Sequence, residues 1–126
     1  MSLIYEVLAE RRVAVIRPKW LPSRAEWVET LRALSSDPRF ERGYGVVNDR
    51  RHIPAPDAAY VRTAIDLIGS FAAGHGPLRW AIVISPDQEV VGMARMGEIL
   101  AGLRNVEFRS FESYDEAVAW ASPVDG

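Results

Sequence analysis

The sequence predicts an α/β domain with a five-stranded mixed sheet and four helices, in the order β-β-α-β-α-β-α-β-α. Short segments rich in β-branched residues alternate with longer segments of helical periodicity, which is typical of a mainly parallel sheet. The first two strand-like segments follow one another directly, so they predict a leading antiparallel hairpin. A length of 126 residues suits one hydrophobic core. We therefore predict a single domain over residues 1–126.

The hairpin is predicted from two short apolar segments, Leu3–Ala9 and Val13–Ile16, separated by three charged residues. Pro18 ends the second strand. Ser23 and Glu26 then form a capping-box pattern, in which each side chain satisfies a free backbone donor of the first helical turn. The helix that follows ends at the Asp37–Pro38 pair. Its apolar residues recur at helical spacing and predict a buried face: Trp27, Val28, Leu31 and Leu34.

The third strand is predicted at Tyr44–Val47, followed by a polar run from Asn48 to His52. Pro54 and Pro56 stiffen the approach to the second helix. Gly74–Pro77 supplies the glycine and proline expected past its end. The inward residues of this helix follow the i, i+3, i+4, i+7 pattern: Val61, Ala64, Ile65, Ile68 and Phe71.

The fourth strand, Trp80–Ile84, is apolar on both faces, as expected of a strand covered on both sides. Ser85 then has the sequence context of an N-cap, and a third helix is predicted to run to about Ala101. In the fifth strand apolar residues at 106 and 108 alternate with charged ones, which predicts an edge strand. Ser113 caps the last helix, whose inward residues are Ala117, Val118 and Ala121.

The order of the strands determines which face of the sheet the connecting helices cover. If the parallel strands lie side by side in sequence order, right-handed crossovers place all the connecting helices on one face. Trp80, Ile82 and Ile84 would lie on one face of the fourth strand, and Ala81 and Val83 on the other. We expect a second subunit, an apolar ligand or a differently placed helix to shield the remaining face.

Composition excludes several classes of function. The chain has 15 basic and 17 acidic residues, which gives no overall attraction to nucleic acid. It has no cysteine, so thiol catalysis and cysteine-ligated metals are excluded. No apolar run approaches the roughly 18 residues of a membrane-spanning helix. The first residues do not resemble a signal peptide, so we expect a cytoplasmic protein.

Open α/β sheets usually bind ligands at the carboxyl ends of their strands, and that edge collects most of the candidate residues. The run after the third strand is interpreted either as an anion-binding loop or as a solvated loop. Ser85, after the fourth strand, is interpreted as a helix cap, since no nucleophile-elbow motif surrounds it. The candidates from the run are Asn48, Asp49, Arg50, Arg51 and His52.

The predicted third helix adds three candidates, Met93, Arg95 and Met96. Arg95 either pairs with Glu98 or extends to water, or it lines a ligand or partner groove beside two adaptable methionines. The same methionines also fit ordinary core packing. The two histidines fall at opposite edges of the sheet, which argues against a shared metal site, and the glycine-rich segments lack the complete fingerprints of nucleotide-binding loops. No cofactor, metal or catalytic residue is predicted.

A resemblance to a known family lies in several stretches of the sequence: 48–50 with 56–59, then 81–85, 92–96, 108–110 and 115–117 with Trp120. Together they resemble the small bacterial SpoIIAA-like proteins of the STAS fold, a family named for sulfate transporters and anti-sigma-factor antagonists. The resemblance covers roughly Tyr44 to Trp120 and implies the fold given above. It also implies an interaction or regulatory module within a group that hosts several functions.

One departure from the family concerns its regulatory switch. In the partner-switching members a serine or threonine at the start of the second helix is phosphorylated, and the added charge releases a partner. Residues 48–62 contain no serine or threonine here. Asp57 lies near the corresponding position and gives a fixed charge. We therefore expect no phosphorylation switch at this place.

Three functions are compatible with these observations. The first is a non-enzymatic SpoIIAA-like interaction or regulatory module, expected to act as a homodimer or with a protein partner. The second is a carrier of a small apolar or anionic ligand, such as a lipid, held near Arg95 and the carboxyl edge. The third is a small enzyme that uses Asp49 and His52 as an acid–base pair.

Overall fold

The computed structural model describes residues 4–54, 56–86 and 106–123, which form one five-stranded sheet and three helices. The strands lie side by side in sequence order, β1-β2-β3-β4-β5. β1 pairs antiparallel with β2, and every other pair is parallel, as predicted. The strands are β1 (Tyr5–Leu8), β2 (Val13–Ile16), β3 (Gly45–Asp49), β4 (Leu78–Val83) and β5 (Val106–Phe111); the helices are α1 (Arg24–Ser35), α2 (Ala58–His75) and α3 (Tyr114–Ala121).

The start of each described helix is fixed by a side-chain cap. The capping box predicted for α1 is complete, with the Ser23 hydroxyl accepting from the backbone of Glu26 and the Glu26 carboxylate accepting from the backbone of Ser23. Asp57 caps α2 and Ser113 caps α3, each accepting a backbone N–H three residues ahead. The helix predicted between Ser85 and about Ala101 lies outside the described residues, apart from Ser85 and Pro86 at its predicted start.

The first face of the sheet is covered by α1 and α2. Both helices connect parallel strands that are neighbours in sequence order, so right-handed crossovers place them on the same side. Most of each predicted buried face is confirmed: Leu31 of α1 and Ile65 of α2, for example, belong to one cluster with Trp80 of β4. This is the larger of the two hydrophobic clusters. Val28 and Ala64 were also predicted to face inward, but they are only half-buried.

The second face is covered by α3, so a differently placed helix is the one of the three expected alternatives that the structure shows. A helix after the last strand has no further strand to reach, so it is free to fold onto either side. The inward face predicted for α3 is confirmed, since Ala117, Val118 and Ala121 are buried against β2, β3 and β4. Gly45 allows this close approach, because a Cβ there would lie 2.2 Å from the Ala121 carbonyl oxygen.

Three strands differ in extent from their predictions. β1 begins at Tyr5 and ends at Leu8, one residue before its predicted end. β4 begins two residues early, at Leu78, and ends at Val83. β3 does not end at Val47 but continues through Asn48 and Asp49, which pair with Ile82 and Val83 of β4. Polar residues after an apolar segment are typical of a loop, so the sequence predicted that these two residues lie outside the sheet. β5 is an edge strand with Glu107 exposed, as expected.

None of the described helices combines the length and the apolar character needed to cross a lipid bilayer.

Candidate functional site

Three consecutive polar residues at the carboxyl end of β3 lie in the interior. Asn48, Asp49 and Arg50 are 5%, 7% and 7% exposed. The backbone N–H of Arg50 donates to the carbonyl of Val83, so the parallel pairing continues one residue beyond the strand. The interpretation of this stretch as a solvated loop is therefore wrong for these three residues, whereas Arg51 and His52 are exposed.

The alternation of a strand sends these neighbours to opposite faces of the sheet. Asn48 and Arg50 face the side of α1 and α2, where both line a cavity. Asp49 lies in register with Val83, whose side chain belongs to the cluster under α3. The polar run that is continuous in sequence is thus two separate sites in space.

Asp49 is neutralised by arginines of its own chain. Its oxygens accept from Arg51 Nε at 2.9 Å and Arg51 Nη2 at 2.7 Å, and Arg17 Nε lies 3.7 Å away. Burial raises the pKa of Asp49, but the hydrogen bonds from Arg51 outweigh that effect and hold the pKa below its ordinary value. Arg51 is therefore occupied by a bidentate ion pair.

The acid–base pair considered for a small enzyme does not form in this structure. Both oxygens of Asp49 are engaged by Arg51, and no hydrogen bond or ion pair between the described residues joins Asp49 to His52. The second histidine, His75, stacks on Phe40 at the opposite end of β3. Within residues 4–54, 56–86 and 106–123 there is no cluster of three metal-ligating side chains.

Among the described residues, no carboxylate pairs with Arg50 as Asp49 does with Arg51. Its Nη2 donates to the carbonyl oxygen of Pro54 at 2.9 Å, and its buried Nε meets no acceptor. No carboxylate among the described residues lies within ion-pair distance of its guanidinium. Burial accordingly lowers the pKa of Arg50 from its ordinary value. A buried guanidinium with one hydrogen bond and no counter-ion costs stability.

The cavity beside Arg50 has a volume of about 50 Å³. Asn48 contributes the other unpaired polar atom, since its buried Oδ1 accepts no hydrogen bond. Most of the remaining lining is apolar: Trp27, Pro56, Val61, Ala64, Ile65, Ile68, Trp80, Ile82, Ile84 and Phe108.

Tyr60 of α2 closes one side of this cavity, and sequence reasoning missed it. Its hydroxyl donates to the carbonyl of Pro22 at 2.6 Å and accepts from Trp27 Nε1 at 2.7 Å. Burial raises the pKa of Tyr60. The available signal was its spacing, since Tyr60 and Ala64 are four residues apart and share one side of the helix. The hydroxyl is thus committed to holding α1 against α2.

The remaining candidates from the sequence are not brought to the cavity. Ser85 is half-buried after β4 and does not line it, although its neighbour Ile84 does. Met93, Arg95 and Met96 lie outside the described residues.

A scan against protein-family models and a search of curated proteins found no match to this chain.

Proposed function

We propose that this protein is a non-catalytic, SpoIIAA-like module that binds a small anionic ligand in the cavity beside Arg50. The observation that carries the proposal is the buried Arg50 guanidinium, whose Nε–H meets no acceptor. A buried cation is normally paired with an anion. A bound carboxylate would supply both the missing charge and the missing acceptor.

The size of the cavity favours a small ligand over a lipid. Pockets that bury drug-sized molecules measure roughly 300–1,000 Å³. The cavity here is about 50 Å³, so the part of the lipid-carrier hypothesis that needs a long enclosed acyl chain loses support. The apolar walls favour an anion that carries a short apolar chain.

A binding role is favoured over a catalytic one, because the reactive groups near the cavity are already engaged by other residues of the chain. The Asp49 carboxylate is held by Arg51 on the other face of the sheet, and the Tyr60 hydroxyl bonds to Pro22 and Trp27. Neither group is placed to exchange a proton with a ligand at Arg50.

The resemblance to SpoIIAA-like proteins supports a further part of the proposal, that the module acts on a protein partner or as a homodimer. Asp57 occupies the start of α2 as its N-cap, accepting from the backbone of Tyr60 at 2.8 Å. We propose that occupancy of the cavity takes the place of phosphorylation as the regulating event. Light scattering at micromolar concentration tests the homodimer: a mass near 28 kDa, twice the 14.1 kDa chain, supports it, and a 14.1 kDa species alone contradicts it.

The anion site is tested by titrating sodium butanoate into ¹⁵N-labelled protein and following the Arg50 Nε–H signal by NMR. We expect a saturable shift with a dissociation constant on the order of 0.1–1 mM, since the ligand has few atoms to contribute. Arg50→Gln should weaken binding at least tenfold.

The matched control is Arg62→Gln, which removes the same charge from an exposed position of α2. It should bind butanoate as the wild type does. Dispersed NMR spectra of both variants establish that they are folded. The absence of any saturable shift, or equal binding by Arg50→Gln, contradicts the proposed site.

A further inference from the structure

Asn48 narrows the chemistry of the ligand beyond its charge. Its Oδ1 is buried, lies on the wall of the same cavity as Arg50, and accepts no hydrogen bond. A plain carboxylate offers acceptors alone, so it would satisfy Arg50 Nε and leave this oxygen unpaired. The two unpaired atoms together call for a ligand with an acceptor at one point and a donor at another.

The two residues can be reached by one small molecule. Asn48 and Arg50 are two positions apart at the end of β3, so both side chains lie on the same face of the sheet. Both line the same cavity. The ligand's acceptor and donor can therefore belong to one short chain.

The positive charge of Arg50 determines which kind of hydrogen-bond donor the ligand carries. An ammonium group would place a second cation beside the uncompensated guanidinium of Arg50, in surroundings that strengthen repulsion. A hydroxyl donates without charge. Its cost of transfer into an apolar cavity is offset by the bond to Asn48 Oδ1.

The apolar walls of the cavity indicate what the rest of the ligand is. Trp27, Ile65 and Trp80 present apolar surface around the two polar groups. A volume of about 50 Å³ favours a short alkyl chain over a long one.

Building on the proposed function, we infer that the ligand is a short-chain hydroxycarboxylate, for which 2-hydroxybutanoate serves as the probe. Its carboxylate accepts from Arg50 Nε, its hydroxyl donates to Asn48 Oδ1, and its alkyl chain contacts the apolar wall.

The test compares three sodium salts or zwitterions of equal chain length by calorimetry: 2-hydroxybutanoate, butanoate and 2-aminobutanoate. We expect 2-hydroxybutanoate to bind about tenfold more tightly than butanoate, which is the fold-change of one well-placed hydrogen bond. One enantiomer should bind more tightly than the other, because three distinct contacts distinguish a chiral ligand from its mirror image. We expect 2-aminobutanoate to bind more weakly than butanoate.

Asn48→Leu is the matched variant, since it keeps the side-chain volume and removes the acceptor. It should bind butanoate and 2-hydroxybutanoate equally. If Asn48→Leu does not fold, the comparison of ligands on the wild-type protein decides alone.

The outcomes separate this inference from the proposal beneath it. If butanoate and 2-hydroxybutanoate bind equally and both depend on Arg50, the hydroxycarboxylate is wrong and the anion site stands. If neither salt binds, both are wrong. A preference for the hydroxyl that persists in Asn48→Leu overturns the role given to Asn48.

Discussion

Tyr60 shows how a single hydroxyl holds two helices together at the cavity. It bonds to the carbonyl of Pro22 before α1 and to Trp27 Nε1 within α1. Tyr60→Phe leaves both buried partners without a bond, so we expect the free energy of unfolding to fall by about 2 kcal/mol. Chemical denaturation measures this change.

The control for that substitution is Tyr114→Phe. Tyr114 lies under the guanidinium of Arg17, a contact made by its ring. The phenylalanine ring preserves that contact, so the unfolding free energy should change by less than about 0.5 kcal/mol. A loss in Tyr60→Phe no larger than in Tyr114→Phe would show that the buried hydroxyl does not hold the helices.

His75 is expected to make stability depend on pH. Burial between Phe40 and Phe71 lowers the pKa of His75, with Arg42 acting in the same direction and a hydrogen bond to the Tyr44 backbone opposing them. Because the unfolded chain then binds the proton more readily, stability is highest above the ordinary histidine pKa of about 6.5 and falls as the pH drops through the lower folded value.

Denaturation at pH 7.5 and pH 5.0 checks the histidine prediction. The wild type should be less stable at pH 5.0, and His75→Gln should reduce that difference. His52→Gln, at an exposed position, should leave it unchanged. If His75→Gln keeps the full pH dependence, the source lies elsewhere.

At the scale of the elements, the contact between α3 and β3 depends on the absence of a side chain at Gly45. A methyl group there would lie 2.2 Å from the Ala121 carbonyl oxygen, so α3 or the strand must move. We expect Gly45→Ala to lower the unfolding free energy by about 1–3 kcal/mol through this overpacking.

Gly74→Ala is the matched control, since nothing lies within 4 Å of a Cβ at that position of α2. Alanine has the higher helix propensity, so this variant should be up to about 1 kcal/mol more stable than the wild type. Thermal or chemical denaturation of both variants gives the comparison. Equal stability of the two variants would show that α3 does not approach Gly45 closely.

Local sequence signals were sufficient for most elements. The capping box at Ser23 and the apolar spacing of α2 each determine where a helix begins or which face it buries, and the structure agrees with both. Asn48 and Asp49 were misplaced because their polarity indicates a loop, whereas backbone pairing with β4 keeps them in the sheet. That pairing depends on residues more than 30 positions away, which a local pattern does not contain.

At the scale of the whole molecule, the site depends on which face each residue occupies. The sequence places five polar residues together from Asn48 to His52, and most of the candidate site residues belong to that run. The fold separates Asp49 and Arg51 from Arg50, and it adds Tyr60 from a helix that carried no functional signal. Sequence spacing could predict the edge of the sheet but not the partners across it.

The two layers of helices also bear on how the protein associates. The second face of the sheet is buried by α3, so an uncovered face no longer argues for a homodimer. The expectation of a dimer or protein partner now rests on the resemblance to SpoIIAA-like proteins, and it stays a proposal.

We propose that Arg50 serves a ligand and that its unpaired charge lowers the stability of the ligand-free protein. The most direct test is the unfolding free energy of Arg50→Met without ligand, measured by chemical denaturation beside the wild type. Methionine fills the same space without a buried charge, so we predict a variant at least as stable as the wild type and up to about 2 kcal/mol more stable. A loss of more than about 1 kcal/mol would contradict the claim, because Arg50 would then be a structural residue of the fold.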